Sequence, residues 1–248
     1  MARVIMPPAA SRAALVAELA RAGYAHLSAE TAREALGADT AGLDALRASW
    51  EELPRDTYLR DGGSYRARRH SCFVQTPWTG GLEPVPHRPH WQPTAYNALH
   101  GGLERWFEPI TPAVRESAAW RGLVIAIGEL FAALRTVERW YIEAHQFRID
   151  TASGIGRPTP EGAHRDGVDF VALVLAGRHD IEGGETRVFD AGGSTGVRFT
   201  MHEPWSVLLL DDARVIHETT PIRSHDRPGA RDTLVLTYRE RGFQAPGA

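Results

Sequence analysis

The stretch 164-HRDGVDFVALVL-175 decides the expected fold, because two polar residues lead directly into a long apolar run. Residues 168–175 are rich in Val, Leu and Phe, the pattern of a strand buried in the middle of a sheet. Similar short apolar or alternating segments lie at 141–149, 186–189, 197–202, 205–210, 215–217 and 232–238. Short strands at this spacing predict a jelly-roll barrel.

Helical patterns cover part of the sequence before residue 140. Apolar residues recur at helical spacing in 11–21, 29–36 and 43–50, and a longer stripe spans 113–137. We therefore expect a mainly β, α+β fold in one domain over residues 1–248. Residues 1–140 would supply helical and irregular support with substrate-pocket elements, and residues 141–240 would form the jelly-roll core, with the long helix packed on its outer face.

Three side chains in the carboxyl-terminal half form an H-x-D … H pattern. His164 and Asp166 are two residues apart and would share one face of an extended strand, whereas His217 must come from another strand. An H-x-D tripeptide also occurs by chance, but here it lies at the mouth of a buried strand. Two nitrogens and one carboxylate on one side of a metal form the facial triad of non-haem Fe(II) oxygenases.

A buried arginine is predicted at the start of the last strand. Arg231 and Thr233 alternate onto one face of 231–238, and a guanidinium held there requires an anion such as a dicarboxylate. Arg223 and Arg227 are the competing candidates, but both lie in a segment rich in Pro, Ser, Asp and Gly that reads as an exposed loop. Arg231 is the preferred anion-binding residue.

Five motifs between residues 141 and 238 resemble the 2-oxoglutarate/Fe(II)-dependent dioxygenases, and specifically the bacterial isoleucine dioxygenase-like branch of free amino-acid hydroxylases. The residues that carry the resemblance are 145-HQFRI-149, 164-HRDGVDF-170, 182-EGGET-186, His217 with 221-PI-222, and 231-RDT-233. The first 140 residues resemble the family less clearly.

The resemblance implies a double-stranded β-helix, in which His164, Asp166 and His217 hold Fe(II) and 2-oxoglutarate places its far carboxylate against Arg231 and Thr233. It implies O2-dependent hydroxylation coupled to formation of succinate and carbon dioxide, with ascorbate as a protectant in vitro. The implied substrate is a small molecule, a free L-amino acid with an aliphatic side chain such as Ile, Leu or Met. Peptidyl, carrier-bound or N-modified amino acids are the alternative.

Several polar residues are candidates for the remaining pocket. Gln146 and Arg148 share a face of the strand 142–149, and Gln146 could contact the cosubstrate, although an outward-facing pair is equally compatible with the pattern. For the substrate, the candidates are Arg66, Arg68, His70, Arg148, Arg165 and Asp169. A solvated basic strand edge is the alternative for residues 66–70.

Other features favour structural roles. His87 and His90, in an irregular loop over 74–95, are expected at the surface or in hydrogen bonds rather than in a second metal site. Cys72 is expected to be a packed small residue rather than a nucleophile. Gly183 and Gly184 are expected to form a tight turn, because no P-loop lysine follows them.

Composition predicts an ordinary cytoplasmic protein. The net charge of −3 and the sequence pI of about 6.4 give no reason to expect nucleic acid or an anionic membrane as a partner. Residues 1–8 lack the apolar core of a signal peptide, and no run is long enough to span a bilayer. A cupin-type metal enzyme or isomerase and a non-catalytic binding barrel remain as rival classes, and the oligomeric state is left open.

Overall fold

The computed structural model describes residues 11–224 and 226–247, so the segment in which no signal peptide is expected lies outside the described residues. The helices are α1 (Arg12–Ala22), α2 (Ala29–Leu36), α3 (Thr40–Asp44), α4 (Pro112–Arg115) and α5 (Ala118–Leu134), with a 3-10 turn at Arg47–Trp50. The strands are β1 (Tyr24–Leu27), β2 (Arg66–Thr76), β3 (Gly81–Pro84), β4 (Trp140–Asp150), β5 (Phe170–His179), β6 (Glu182–Gly183), β7 (Glu185–Asp190), β8 (Gly196–Thr200), β9 (Val207–Asp211), β10 (Val215–Thr219), β11 (Ile222–Arg223) and β12 (Ala230–Arg239).

Antiparallel sheets build the fold, and the jelly-roll prediction is confirmed. The main sheet has the strand order β1-β9-β5-β12-β4-β2-β3, and two smaller sheets have the orders β10-β7-β8 and β11-β6. Every segment expected as a strand after residue 140 overlaps an observed strand. The central strand β5 is buried on both faces, as its continuous apolar run predicts.

Two apolar layers enclose the main sheet. One face packs against α1, α2 and α5 in the largest hydrophobic cluster, in which Tyr238 donates a 2.8 Å hydrogen bond to the Val124 carbonyl. The other face packs against β7, β8 and β10 through a second cluster that includes Leu173, Val188 and Val215. Helix α5 approaches the sheet closely at Gly128, where a Cβ atom would lie 1.8 Å from the Gln75 side-chain oxygen.

Two predicted helices are interrupted. The stretch 113–137 forms α4 and α5 rather than one helix, because Ser117 accepts a hydrogen bond from the Trp120 amide and begins a new helix. The stretch 43–50 contains the end of α3 and the separate 3-10 turn. That turn carries Trp50 into the core, where its indole donates to the Thr233 carbonyl at 3.1 Å. Tertiary burial therefore overrides the helical pattern.

The sequence analysis did not predict β1, β3 or the two-residue strands β6 and β11, and it treated β2 only as the alternative of a basic strand edge. β1 pairs with β9 at one edge of the main sheet, and β3 lies within the stretch expected to be an irregular loop. β2 lies between β3 and β4 and is almost fully buried, so the alternative of a solvated basic edge is wrong. Its arginines find partners inside the protein, as described below.

Gly183 and Gly184 form the expected tight turn, with φ of +75° and +66°. A Cβ atom on Gly183 would lie 2.2 Å from the Pro221 carbonyl oxygen. Within the described residues, no helix is both long and apolar enough to cross a membrane.

Candidate active site

The three predicted metal ligands meet at one end of a cavity between the sheets. One ligand-type atom from each of His164, Asp166 and His217 lies within 4.8 Å of the other two. His164 Nε2 is 3.9 Å from Asp166 Oδ1, and His217 Nε2 is 3.7 Å from Asp166 Oδ2. The backbones of the two histidines are joined by a pair of hydrogen bonds of 3.0 and 2.9 Å. This geometry leaves room for a divalent ion between the three groups.

A loop, rather than a strand, carries His164 and Asp166, which corrects the sequence expectation. β5 begins at Phe170, after the loop has turned at Gly167 with a φ of +73°. The buried Asp212 carboxylate accepts the backbone amides of Asp166, Gly167 and Val168 at 2.9, 2.8 and 3.1 Å. The loop conformation is therefore held by a side chain that follows β9.

The two imidazoles differ in how readily they give the neutral ligand form: burial lowers the pKa of His164, but Asp166 and Glu161 outweigh this and the net shift is upward. His164 Nδ1 lies 2.9 Å from the Gly162 carbonyl oxygen, so Nδ1 carries the hydrogen and Nε2 keeps its lone pair toward Asp166. Burial lowers the pKa of His217, and the neighbouring His164 lowers it further. Two neutral imidazoles and one carboxylate fit the donor set of non-haem Fe(II).

Gln92 holds the carboxylate of this triad from the opposite side. Its Nε2 donates to Asp166 Oδ1 at 3.2 Å, while its Oε1 accepts from Asn97 at 3.1 Å and from Arg105 at 3.0 Å. Because both ends of the amide are engaged, its orientation is fixed. The network thus links the triad to Arg105, which also lines the cavity.

Arg231 lies in the same cavity with an unpaired edge. It is 2% exposed, and its Nε and Nη2 atoms have no hydrogen-bond partner among the described residues. Burial lowers its pKa to about 10, which leaves the guanidinium charged at neutral pH. Thr233 follows on the same face of β12 and also lines the cavity. Such an edge suits a carboxylate that accepts two parallel bonds.

The competing arginines do not reach this cavity. Arg223 is exposed on the short strand β11, and Arg227 is exposed and bonded to Asp180 at 2.9 Å. The order of preference expected from the strand pattern therefore agrees with the placement of all three side chains.

A second group of cations lines the same cavity. Arg66, Arg68 and Arg105 are 6%, 3% and 2% exposed, and each has one N–H group without a partner in the described part of the chain: Arg66 Nη2, Arg68 Nε and Arg105 Nε. Asp56 neutralises part of this charge, with Oδ2 2.7 Å from Arg66 Nε and 3.8 Å from Arg68 Nη1. The Arg68 guanidinium also lies 3.8 and 4.3 Å from the ring centroids of Phe107 and Phe147.

A second set of ligand-type side chains lies next to these arginines. His70, His90, Glu143 and His145 are all buried, and one atom from each lies within 4.8 Å of the others. Glu143 is 2.6 Å from His90 Nδ1 and 2.9 Å from His70 Nε2. Two ligands of a tetrahedral ion with bonds near 2.0 Å would be about 3.3 Å apart. The shorter distances indicate hydrogen bonds from two histidines to one carboxylate.

Arg68 gives a second reason to read this set as a closed hydrogen-bond network. Its Nη2 lies 2.7 Å from His145 Nδ1, which must accept, so the His145 hydrogen resides on Nε2 and blocks that atom as a ligand. Burial raises the pKa of Glu143, but its two histidine partners outweigh this and the net shift is downward. Glu143 is thus a stable buried anion.

Several residues expected at the site are not brought to it. β4 presents Glu143, His145, Phe147 and Ile149 to the cavity, so Gln146 and Arg148 lie on its opposite face. Gln146 donates to Ser49 at 2.9 Å, and Arg148 forms a two-bond ion pair with Asp232.

The two candidates beside the metal motif also point elsewhere. Arg165 donates to the Asp212 carbonyl, and Asp169 pairs with Arg135 on another surface. Among the residues expected to bind substrate, Arg66 and Arg68 line the cavity, and His70 contacts it through Glu143.

His87 and His90 make hydrogen bonds, as expected, and Cys72 is buried. His87 is exposed and hydrogen-bonded to the Phe107 carbonyl, and His90 is bonded to Glu143. Burial raises the pKa of the Cys72 thiol, which does not favour a nucleophile.

Sequence reasoning missed several cavity residues as site residues, most of them in irregular segments and two on β4. They are His90, Gln92, Asn97, Arg105, Glu143, His145, Thr159, Glu161 and Gln244. On β4, Glu143 and His145 share a face with Phe147 and Ile149. A mixture of polar and apolar side chains on one face of a strand was the available sign that this face meets a cavity. The loop residues offered no periodicity from which to place them.

Comparisons with known proteins agree with this geometry. A profile of the 2OG-Fe dioxygenases matches residues 47–237, whereas no curated protein matches the chain. A bsmA homolog from Methylobium petroleophilum is 55% identical, with a TM-score of 0.93 over 100% of this chain and 99% of that one. IDO from Bacillus thuringiensis is 18% identical, with a TM-score of 0.72 over 94% and 100% of the two chains. The Fe(II)/α-ketoglutarate-dependent dioxygenase TqaL is 18% identical, with a TM-score of 0.70 over 92% and 87%. The last two share the fold.

Proposed function

Because this chain belongs to the 2OG-Fe dioxygenase family, we propose that it hydroxylates the side chain of a free L-amino acid and converts 2-oxoglutarate to succinate and carbon dioxide. Family membership makes the protein a dioxygenase that uses Fe(II), 2-oxoglutarate and O2, which removes the cupin-type and non-catalytic alternatives. The residue roles, the single domain over 1–248 and the amino-acid substrate are our proposal. A cytoplasmic location stays a prediction from the sequence.

In this proposal, His164, Asp166 and His217 hold Fe(II). The iron supplies the activation of O2 that an unactivated C–H bond requires. His164 is kept in the ligand tautomer by the Gly162 carbonyl, and Asp166 is held by Gln92. These contacts fix the ligands before the ion arrives, so little reorganisation is needed.

Arg231 and Thr233 bind the far carboxylate of 2-oxoglutarate. The unpaired Nε and Nη2 atoms of Arg231 lie on one edge of the guanidinium, which matches two carboxylate oxygens. The apolar side chains of Val171, Leu173 and Val235 line the same part of the cavity and keep water away from the cosubstrate.

The observation that carries the substrate proposal is a second anion site in the same cavity. Three guanidiniums there face two carboxylates, Asp56 and Glu143, so one positive charge and three N–H donors are left over. A cosubstrate bound to Arg231 leaves this end free for another carboxylate. A free amino acid provides one, and its side chain then extends toward the iron.

The test is succinate formation from 2-oxoglutarate with Fe(II) and ascorbate across the free L-amino acids, with product masses recorded. We expect one group of amino acids, aliphatic ones such as Ile, Leu or Met, to stimulate turnover and gain one oxygen atom. His164→Ala should abolish turnover. Arg68→Met should raise the KM for the amino acid about 30-fold or more and leave that for 2-oxoglutarate unchanged.

Two results would count against the proposal. Weak turnover with every free amino acid would move the substrate to peptidyl, carrier-bound or N-modified amino acids. Full activity of His164→Ala would show that the iron ligands are assigned wrongly.

A further inference from the structure

Glu161 is a partly buried carboxylate in the cavity to which the proposal above gives no role. Its side chain is 13% exposed and lines the cavity beside the triad. Its Oε1 lies 3.5 Å from His164 Nε2, and its Oε2 is a buried atom with no hydrogen-bond partner among residues 11–224 and 226–247. An unpaired carboxylate oxygen in such a place is costly unless a ligand satisfies it.

The other carboxylates of the cavity are already engaged. Asp166 belongs to the triad and accepts from Gln92, and Glu143 accepts from two histidines. In the tautomer set by the Gly162 carbonyl, His164 Nε2 offers Glu161 no hydrogen, and it offers none when it binds iron. Both Glu161 oxygens are then free to accept.

The charges of the loaded site call for a cation at this position. The formal charges of Fe(II), the 2-oxoglutarate dianion, Asp166 and Arg231 sum to zero. The arginine site retains one positive charge, and Glu161 retains one negative charge. These two opposite charges belong to the same cavity, and the Glu161 carboxylate opposes the lowering of the Arg105 pKa that burial causes. A zwitterion would neutralise both.

Resting on the proposed function, we propose that Glu161 binds the protonated amino group of the substrate while the arginine site binds its carboxylate. The enzyme then requires a free, charged amine. N-acylated or peptidyl amino acids are excluded, because an amide nitrogen carries no charge and offers at most one hydrogen to two free carboxylate oxygens.

The experiment measures binding rather than turnover. Anaerobic protein loaded with Fe(II) and 2-oxoglutarate is titrated calorimetrically with the proteinogenic L-amino acids and with their N-acetyl derivatives as matched probes. Wild type is compared with Glu161→Gln, which keeps the shape of the side chain, and with Glu138→Gln, which makes the same charge change at an exposed position. Bound iron and the iron–cosubstrate absorption band are recorded for each protein.

We expect wild type and Glu138→Gln to bind one group of free amino acids and none of the N-acetyl compounds. Glu161→Gln should keep its iron and cosubstrate and bind those amino acids about 30-fold more weakly or worse. Unchanged affinity in Glu161→Gln, or N-acetyl compounds that bind wild type as well as the free amino acids, overturns the role of Glu161. If neither the free amino acids nor their N-acetyl derivatives bind a protein with normal iron and cosubstrate loading, the amino-acid proposal itself is wrong, and so is the role of Glu161.

Discussion

Single side chains in this cavity are best distinguished by which of their polar atoms remain unpaired. Arg231 and Glu161 keep free donor and acceptor atoms, and we assign both to ligands. His70 and His90 each direct one ring nitrogen to Glu143 and remain neutral: burial lowers the pKa of both, that of His90 to about 4, against the opposing effect of Glu143. Their task is to hold an anion in place.

This neutral histidine makes folding sensitive to acid. His90 has an ordinary pKa of 6.5 and a folded-state pKa of about 4, so below pH 6.5 the unfolded chain takes up a proton that the folded protein refuses. The stabilisation is present above pH 6.5, falls as the pH drops toward 4, and amounts to about 3 kcal/mol in total. Metal-free protein should be distinctly less resistant to urea near pH 5 than near pH 7.

The matched variants are His90→Asn and His202→Asn, the second at an exposed position. His90→Asn should be less stable near pH 7 and show a smaller loss on acidification, whereas His202→Asn should follow wild type. If the free energy of unfolding depends equally on pH in wild type and both variants, His90 is not the cause of the acid sensitivity.

At the scale of elements, the positions that the sequence placed well are those on strongly patterned strands. The apolar run of β5 and the alternation of β12 located Arg231 and Thr233 on one face without help from the structure. The prediction failed on β4, where both faces are buried and alternation cannot tell which one meets the cavity. It failed on β2 because arginines suggest solvent until their buried partners are known.

Strands β4 and β12 are paired, and Arg148 and Arg231 lie on opposite faces of them, so the two arginines can be compared directly. Arg148→Met breaks the ion pair with Asp232, in which the two bonds are 2.8 and 2.7 Å, and leaves that carboxylate buried and unpaired. The free energy of unfolding should fall by about 3 kcal/mol, with no change in the KM for 2-oxoglutarate. Arg231→Met should instead raise that KM about 100-fold, because a charged two-bond contact is lost.

Urea unfolding and cosubstrate titration of both variants provide the measurement. The opposite pattern, with Arg148→Met defective in cosubstrate binding, would restore the original expectation for β4 and contradict the register described above.

For the whole molecule, the central question is how many metal ions one chain holds. Two clusters of ligand-type residues lie within the described part of the chain, and both include residues that line the cavity. Their internal distances differ: 3.7 and 3.9 Å around Asp166, and 2.6 and 2.9 Å around Glu143. The first set is open for an ion, and the second is closed by its own hydrogen bonds.

We therefore expect one iron per chain in protein reconstituted anaerobically with excess Fe(II) and then desalted. Metal analysis should give no bound iron for His164→Ala and one equivalent for His90→Ala. Two equivalents in wild type, one of which disappears in His90→Ala, would identify the Glu143 cluster as a second metal centre.

Two of the hydrogen bonds that Gln92 makes, one with Arg105 and one with Asp166, connect the two binding sites. The Gln92 side-chain amide links the Arg105 guanidinium, which belongs to the proposed substrate site, to the Asp166 carboxylate, which faces the proposed metal site. When an anion draws Arg105 toward itself, it pulls on the same group that steadies Asp166. The Gln92 amide therefore couples the position of Arg105 to that of Asp166.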